Sequence, residues 1–199
     1  KLFITGNGRC NITNAADMEI LFDNVVTNRK FLYSAFYSFT NTDMIELLES
    51  LGVRTKVERG DRVFPVSDKS NDIIRALQGE MERLGVKIYL KKEVTDILVE
   101  DGVYQGVMLR GEKKPVPSSC VIVTTGGFSY QVTGSTGDGY RFAKNMGHTV
   151  TEIHPSLVPL VIAESFCKEM MGLALKNVEV TIHQGKKQIY QNFGEMLFT

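Results

Sequence analysis

Cysteine is scarce in this sequence: Cys10, Cys120 and Cys167 are the only three in 199 residues. Odd in number and far apart, they make neither a disulfide framework nor a CxxC-type zinc or redox motif. That usage suits a reducing compartment and a cytoplasmic setting. Excess charge is missing too, because 23 Lys+Arg balance 23 Asp+Glu. Residues 1–100 carry −1 and residues 101–199 carry +1, so no basic stripe signals nucleic-acid binding. No run approaches the ~18 apolar residues of a membrane span. The most apolar stretch, 157–163, contains Pro159. No secretion signal is visible, since residues 5–14 are polar and glycine-rich. His148, His154 and His183 have no zinc-ligand spacing, and no G-x-S-x-G elbow supports serine hydrolase chemistry.

What is present is the composition of a globular domain, 43% hydrophobic and 23% charged. The length suits one domain with a real core. Both ends cut through apolar patterns: Lys1 leads directly into Leu-Phe-Ile, and Met196–Thr199 stops inside a strand pattern. The sequence reads as a fragment of a longer protein.

Residues 1–4 resemble a strand end. Three helical patterns follow, over 17–25, 31–39 and 41–51, the third capped near Thr40 or Asn41 and stopped by Gly52. Residues 53–64 alternate like a ribbon turning at Arg59-Gly60-Asp61. Ser70 or Asn71 opens a strong helix that puts Ile73, Ile74, Leu77, Met81 and Leu84 on one face and ends at Gly85. The period then changes to two. Val86–Leu90 reads as a strand, and Asp101-Gly102 joins strands 94–100 and 103–110 in a hairpin. Cys120–Thr125 reads as a strand buried on both faces of a parallel sheet. Val121, Ile122, Val123, Ile73, Leu77 and Met81 are expected to share one core. A helix starts after Gly137-Asp138-Gly139, and a last hairpin turns at Gln184-Gly185. The expected division is 1–154, with an antiparallel layer over 86–119, and 155–199.

Three loops could carry chemistry. Gly6-Asn7-Gly8-Arg9-Cys10-Asn11 follows a short apolar segment and nearly matches the G-x-G-x-x-G dinucleotide fingerprint. Asn11 stands where close packing needs the third glycine, and no helix follows at once, so the match fails as that fingerprint. It remains either a surface turn or a backbone loop that approaches a ligand, with Arg9 as an anion partner. Thr124–Gly127 sits at the carboxyl end of the apolar run, the usual ligand side of an open α/β sheet, or is a plain turn. Gly134–Gly139 could face an anion with its N–H groups, or Asp138 could simply favour the helix start. Cys10 is either a thiol activated by Arg9 or a packed loop cysteine.

Taken together the motifs are more specific. Lys1–Asn14, Arg62-Val-Phe-Pro65, Val123–Gly127, Thr133–Tyr140, Gly147-His148, Pro155–Leu160 and Gly194–Thr199 resemble, in order and spacing, the aminoacetone-oxidase-like, YhiN-type family of FAD-dependent oxidoreductases. The resemblance implies an α/β fold. It would be a partial glutathione-reductase-like FAD-binding domain with an antiparallel β layer, plus the start of an inserted β-rich domain. It also implies that the family's G-x-G-x-x-G lies upstream of Lys1 and that a C-terminal FAD segment lies beyond Thr199. Such a fragment alone is expected to be inactive and to hold FAD weakly. The resemblance places Thr5, Gly6, Asn7, Gly8, Arg9, Cys10 and Asn11 along the flavin and its pyrophosphate. It puts the backbone of Val94 against adenine, Thr125, Gly126 and Gly127 beside the cofactor, and Gly137, Asp138 and Gly139 at the flavin cleft. FAD is the implied cofactor, with NAD(P)H as a possible electron donor and a small organic molecule as substrate. No catalytic acid or base is assigned. A non-catalytic nucleotide-binding or interaction domain on the same fold is the alternative.

Overall fold

The computed structural model describes residues 1–155 and 158–199. By its internal contacts the chain divides into two units, Lys1–Val150 and Thr151–Thr199.

The first unit opens with a 3-10 turn over Leu2–Ile4, not a strand end. A short strand β1 (Thr13–Asn14) and three helices follow: α1 (Met18–Asp23), α2 (Tyr33–Ser38) and α3 (Asn41–Ser50). The start of α3 is set by a capping box. The Thr40 hydroxyl accepts from the Asp43 N–H, and the Asp43 carboxylate accepts from the Thr40 N–H. These bonds hold the Asp43 carboxyl below the ordinary range, the Thr40 backbone contact most of all. Thr40→Ala is expected to cost about 1 kcal/mol, read as a lower urea midpoint with unchanged slope.

Gly52, at φ +85°, turns the chain out of α3 into β2 (Thr55–Glu58) and β3 (Arg62–Pro65). With β1 these make an antiparallel sheet in the order β1-β3-β2, with Val63 central and opposite both Thr13 and Val57. Helix α4 (Ser70–Arg83) then packs on α3. Ile73, Ala76 and Leu77 recur at helical spacing and meet Met44, Leu48, Val53, Ile12 and Cys10 in one core. The Ser70 hydroxyl does not cap α4; it donates to Phe3 O at 2.9 Å and ties the helix to the first turn of the chain.

The hairpin at Asp101-Gly102 joins β4 (Val94–Glu100) and β5 (Val103–Leu109), and β6 (Val116–Pro117) pairs on β5. Helix α5 (Asp138–Asn145) follows the second glycine loop. The second unit consists of a 3-10 turn over Ser165–Lys168 and a long hairpin, β7 (Ala174–Gln184) and β8 (Lys187–Leu197). Ser156 and Leu157, which belong to the Pro155–Leu160 motif and the apolar stretch 157–163, lie outside the described residues.

Two strand expectations are corrected. Residues 86–90 and 120–125 are not β-strands, and all sheets among the described residues are antiparallel. Val121, Ile122 and Val123 do not join Ile73 in the core; Ile122 is 85% exposed and Met81 is 39% exposed. An apolar run has a strand's composition, but a strand also needs a neighbour for its N–H and C=O groups. No described segment pairs with 120–125, so its side chains stay exposed. The fold class remains α/β, with helices and small antiparallel sheets among the described residues.

Candidate functional site

The loop Thr5–Cys10 is wound tightly. Gly6, Asn7, Gly8 and Cys10 all have positive φ. The N–H groups of Gly8 and Cys10 donate to Thr5 O, and that of Arg9 donates to Gly6 O. The amides of Gly6, Asn7 and Asn11 have no hydrogen-bond partner among the described residues. These three residues line a cleft of about 450 Å3, together with Lys1, Arg9, Arg62, Phe64, Tyr130 and Thr133 among others. Three cationic residues and no carboxylate line it. The cleft therefore offers unspent N–H groups, positive charge and aromatic edges, which suit an anionic ligand with a flat ring.

Arg9 is held from behind. Its Nη1 donates to both Glu58 carboxylate oxygens, at 3.0 and 3.1 Å, and to Asp68 at 3.4 Å. Its guanidinium stacks 4.0 Å from the centre of the Phe64 ring. Lys56 Nζ bridges the same two carboxylates, at 3.1 Å from Glu58 and 2.7 Å from Asp68. The Lys56 hydrogen bonds are the largest cause holding both carboxyls below their ordinary range, with Arg9 adding to the effect. Arg9 itself is raised, first by its hydrogen bond to Glu58. Nη1 carries every one of these contacts. Nε and Nη2 make no hydrogen bond among the described residues.

The two glycines of the loop differ in their surroundings. A Cβ at Gly8 would meet nothing nearer than Phe3 O at 4.0 Å, whereas one at Gly6 would lie 2.8 Å from Asn11 N and 3.0 Å from the Phe64 ring. The crowded position is Gly6. Cys10 is not in the lining of this cleft: it is 1% exposed, in the core with Leu48, Val53 and Ile73. Its contribution to a ligand site is limited to the backbone, and Cys10→Ser is not silent. Burying a hydroxyl there is expected to cost about 1–3 kcal/mol, while Cys10→Ala leaves no polar group to satisfy. Thermal midpoints of the two variants, with Cys10→Ser the lower, check this. Asn11, with its amide nitrogen turned inward, donates to Thr13 O and Val63 O and locks the loop to β3.

The structure brings Thr125, Gly126 and Gly127 against Gly137, Asp138 and Gly139, but the two segments fill each other's space. A Cβ at Gly126 would lie 3.0 Å from Ser135 Oγ, and one at Gly139 would lie 2.9 Å from Thr125 Oγ1. A Cβ at Gly137 would enter the Phe128 ring. Asp138 accepts from Thr136 at 2.6 Å and from Arg141 at 3.0 Å, which lower its carboxyl, Thr136 most. Arg141 also donates to Thr95 O, so α5 grips the start of β4 beside Val94. Val94 and these glycines are not among the residues lining the cleft. The link between the two loops is Lys1, whose Nζ donates to Ser129 O and Ser135 Oγ.

Lys1, Arg62, Phe64 and Thr133 fall within the motifs that carry the resemblance, which give them no role, and Tyr130 falls in none of them.

The Gly6 turn, the core-facing cysteine and the Arg62-Val-Phe-Pro65 strand belong to a chain that has relatives over its whole length. The HI0933-like protein Rossmann domain family matches residues 1–197. This chain belongs to that family. It is 30% identical over 199 residues to a 3-dehydro-bile acid delta(4,6)-reductase of Clostridium scindens, covering 100% of the chain and 47% of that relative. It is 28% identical over 203 residues to a ribosomal RNA dihydrouridine synthase of Haemophilus influenzae, covering 100% of the chain and 48% of that protein. A ribosomal RNA dihydrouridine synthase of Escherichia coli is 27% identical over 174 residues, 87% of the chain and 42% of that protein. The chain thus spans about half the length of the curated relatives it matches. No described helix is long and apolar enough to cross a membrane.

Proposed function

We propose that the whole protein is an FAD-dependent oxidoreductase that moves a hydride or electron pair between a small organic substrate and the flavin. This chain would supply the Thr5–Asn11 wall of its cofactor site. The observation that carries the reading is the cleft itself. Gly6, Asn7 and Asn11, whose backbone amides make no hydrogen bond among the described residues, line it with Arg9, Arg62 and Lys1, and no carboxylate does. A dinucleotide with a doubly charged pyrophosphate and a flat ring needs such a lining. The relatives add support, since reducing a bile acid and forming a dihydrouridine both add hydrogen to a substrate.

In this reading Arg9 and Arg62 would neutralise the cofactor's charge, and Gly6 and Asn7 would reach it by backbone. Bound FAD would supply the redox chemistry. The relatives act on unlike substrates, so membership supports a cofactor class better than it supports any one substrate.

The test is the absorbance spectrum of the full-length protein. A flavin band that bleaches on adding NAD(P)H is the expected result and would also identify the donor. A colourless protein would instead favour a non-catalytic nucleotide-binding domain.

A further inference from the structure

We propose that Tyr130 is the aromatic cover of the cleft, its ring packing on one flat heteroaromatic ring of the ligand whose phosphate charge meets Lys1, Arg9 and Arg62. The proposal rests on the FAD reading above and deepens it, by naming a residue that holds one ring of the dinucleotide.

The backbone singles this residue out. Nine non-glycine residues among those described have positive φ. Six of them are Asn or Asp, whose short polar side chains tolerate the left-handed region. Of the other three, Cys10 is packed in the core and Lys91 lies in a turn. The third is Tyr130, the one aromatic, at φ +54° and ψ +65°. A bulky side chain there is strained, and such strain persists only where the surroundings impose it.

The surroundings do impose it. The Thr133 N–H and hydroxyl both donate to Tyr130 O, at 2.9 and 2.6 Å. Just before it, Lys1 Nζ donates to Ser129 O at 2.8 Å while also donating to Ser135 Oγ at 2.9 Å. Phe128 packs on Tyr140 with ring centres 5.5 Å apart. Three successive residues are therefore tied down. Tyr130 gains no contact in return. It is 77% exposed, and its ring and hydroxyl have no partner among the described residues. Yet it lines the cleft with Gly6, Asn7, Arg9 and Arg62.

A strained backbone that presents an idle ring at a cleft is accounted for when the ring gains its partner from the ligand. The lining indicates that partner's chemistry. Lys1, Arg9 and Arg62 without a carboxylate suit phosphate, and the face of a tyrosine suits a flat ring in offset stacking. A tyrosine has two side-chain torsions to fix, so ordering it on a ligand costs little entropy.

The experiment titrates FAD into full-length protein freed of flavin, as wild type, Tyr130→Gly and Tyr130→Phe. Glycine adopts the left-handed conformation without strain, so Tyr130→Gly should show an unchanged or higher thermal midpoint. Its FAD Kd should nevertheless rise at least about tenfold, the order expected for losing one stacked ring. Tyr130→Phe keeps the ring and should bind close to wild type. It also removes the phenol, which quenches an adjacent excited flavin by electron transfer. Brighter bound flavin in Tyr130→Phe places the ring on the isoalloxazine and unchanged brightness on the adenine; with weak binding by Tyr130→Gly, either supports the cover. Equal FAD affinity in wild type and Tyr130→Gly overturns the cover and leaves the oxidoreductase reading standing. A wild-type protein that takes up no FAD removes that reading and this proposal with it. A Tyr130→Gly variant that loses thermal stability along with FAD assigns Tyr130 to the fold and overturns the proposal.

Discussion

Gly6→Ala in the full-length protein is expected to give largely flavin-free enzyme, while Gly8→Ala retains much of its flavin. Both glycines have positive φ, +56° and +81°, so a side chain at either costs about 1–2 kcal/mol of backbone energy. They differ in what surrounds them. A Cβ at Gly8 has open space, but one at Gly6 meets the backbone nitrogen of Asn11 at 2.8 Å. That atom belongs to a segment bonded to β3, so it cannot retreat cheaply. Relief has to come from opening the loop, which breaks the Cys10 N–H to Thr5 O bond at 2.9 Å and displaces the free amides of Gly6 and Asn7. Each 1.4 kcal/mol lost from binding is tenfold in affinity, so a modest displacement of several donors empties the site. The comparison is the flavin-to-protein absorbance ratio after identical purification. Wild-type flavin in Gly6→Ala beside apo Gly8→Ala would place the cofactor's approach at Gly8.

The second large effect concerns the four charges behind that loop. Lys56→Met should lower the thermal midpoint more than Arg9→Met. Lys56 is the leading partner of both Glu58 and Asp68, and its loss leaves two adjacent carboxylates sharing one cation. Arg9→Met should do the reverse for the ligand: a smaller loss of stability and a larger loss of flavin, since Arg9 alone of the pair lines the cleft. Arg9→Lys should not rescue flavin, because an ammonium cannot both stack on Phe64 and reach forward.

The pH dependence follows from the direction of the shifts. Glu58 and Asp68 are depressed, so their contribution is complete above their unfolded values, ~4.3 and ~3.9, and disappears as pH falls through the lower folded values. Lys56 and Arg9 are raised, so theirs is complete below ~10.4 and lost only as pH rises beyond the folded values. The midpoint difference between wild type and Lys56→Met should therefore be flat from about pH 5 to 9 and close in acid. These groups are partly exposed, and added salt should shrink the difference as well. A difference that persists undiminished at pH 2 would assign the effect to packing rather than charge.

The parts of the fold legible in sequence are those whose partners are local. Helix α4 carries its own period, α3 has its cap within three residues, and the Asp101-Gly102 turn pairs two strands that adjoin it. Residues 120–125 show the limit. Their composition is that of a buried strand, but no described segment supplies a ladder, and composition does not reveal which distant segment would. The candidate site divides the same way. The glycine loop is visible as a loop, and Arg9 as its cation. That Arg9 is shared between Glu58 and Asp68 depends on the β2–β3 hairpin, 49 and 59 residues along the chain. Cys10 looks like a loop residue because its neighbours are polar; only the fold shows it turned into the core.

Lys1 reaches across 134 positions to bond Ser135, and this has a consequence for the order of assembly. Contacts between distant residues form late, because the chain must first meet the entropy of closing so large a loop. The hairpins and α4 depend on near neighbours and are set to appear early. The wall carrying Tyr130 and Thr133 can meet Thr5 and Gly6 only after that closure. The cleft is thus a late product of folding, and a ligand bridging its two walls would act on a nearly finished molecule. Such a ligand would slow unfolding, by holding shut what opens first, and would scarcely change the rate at which the chain folds.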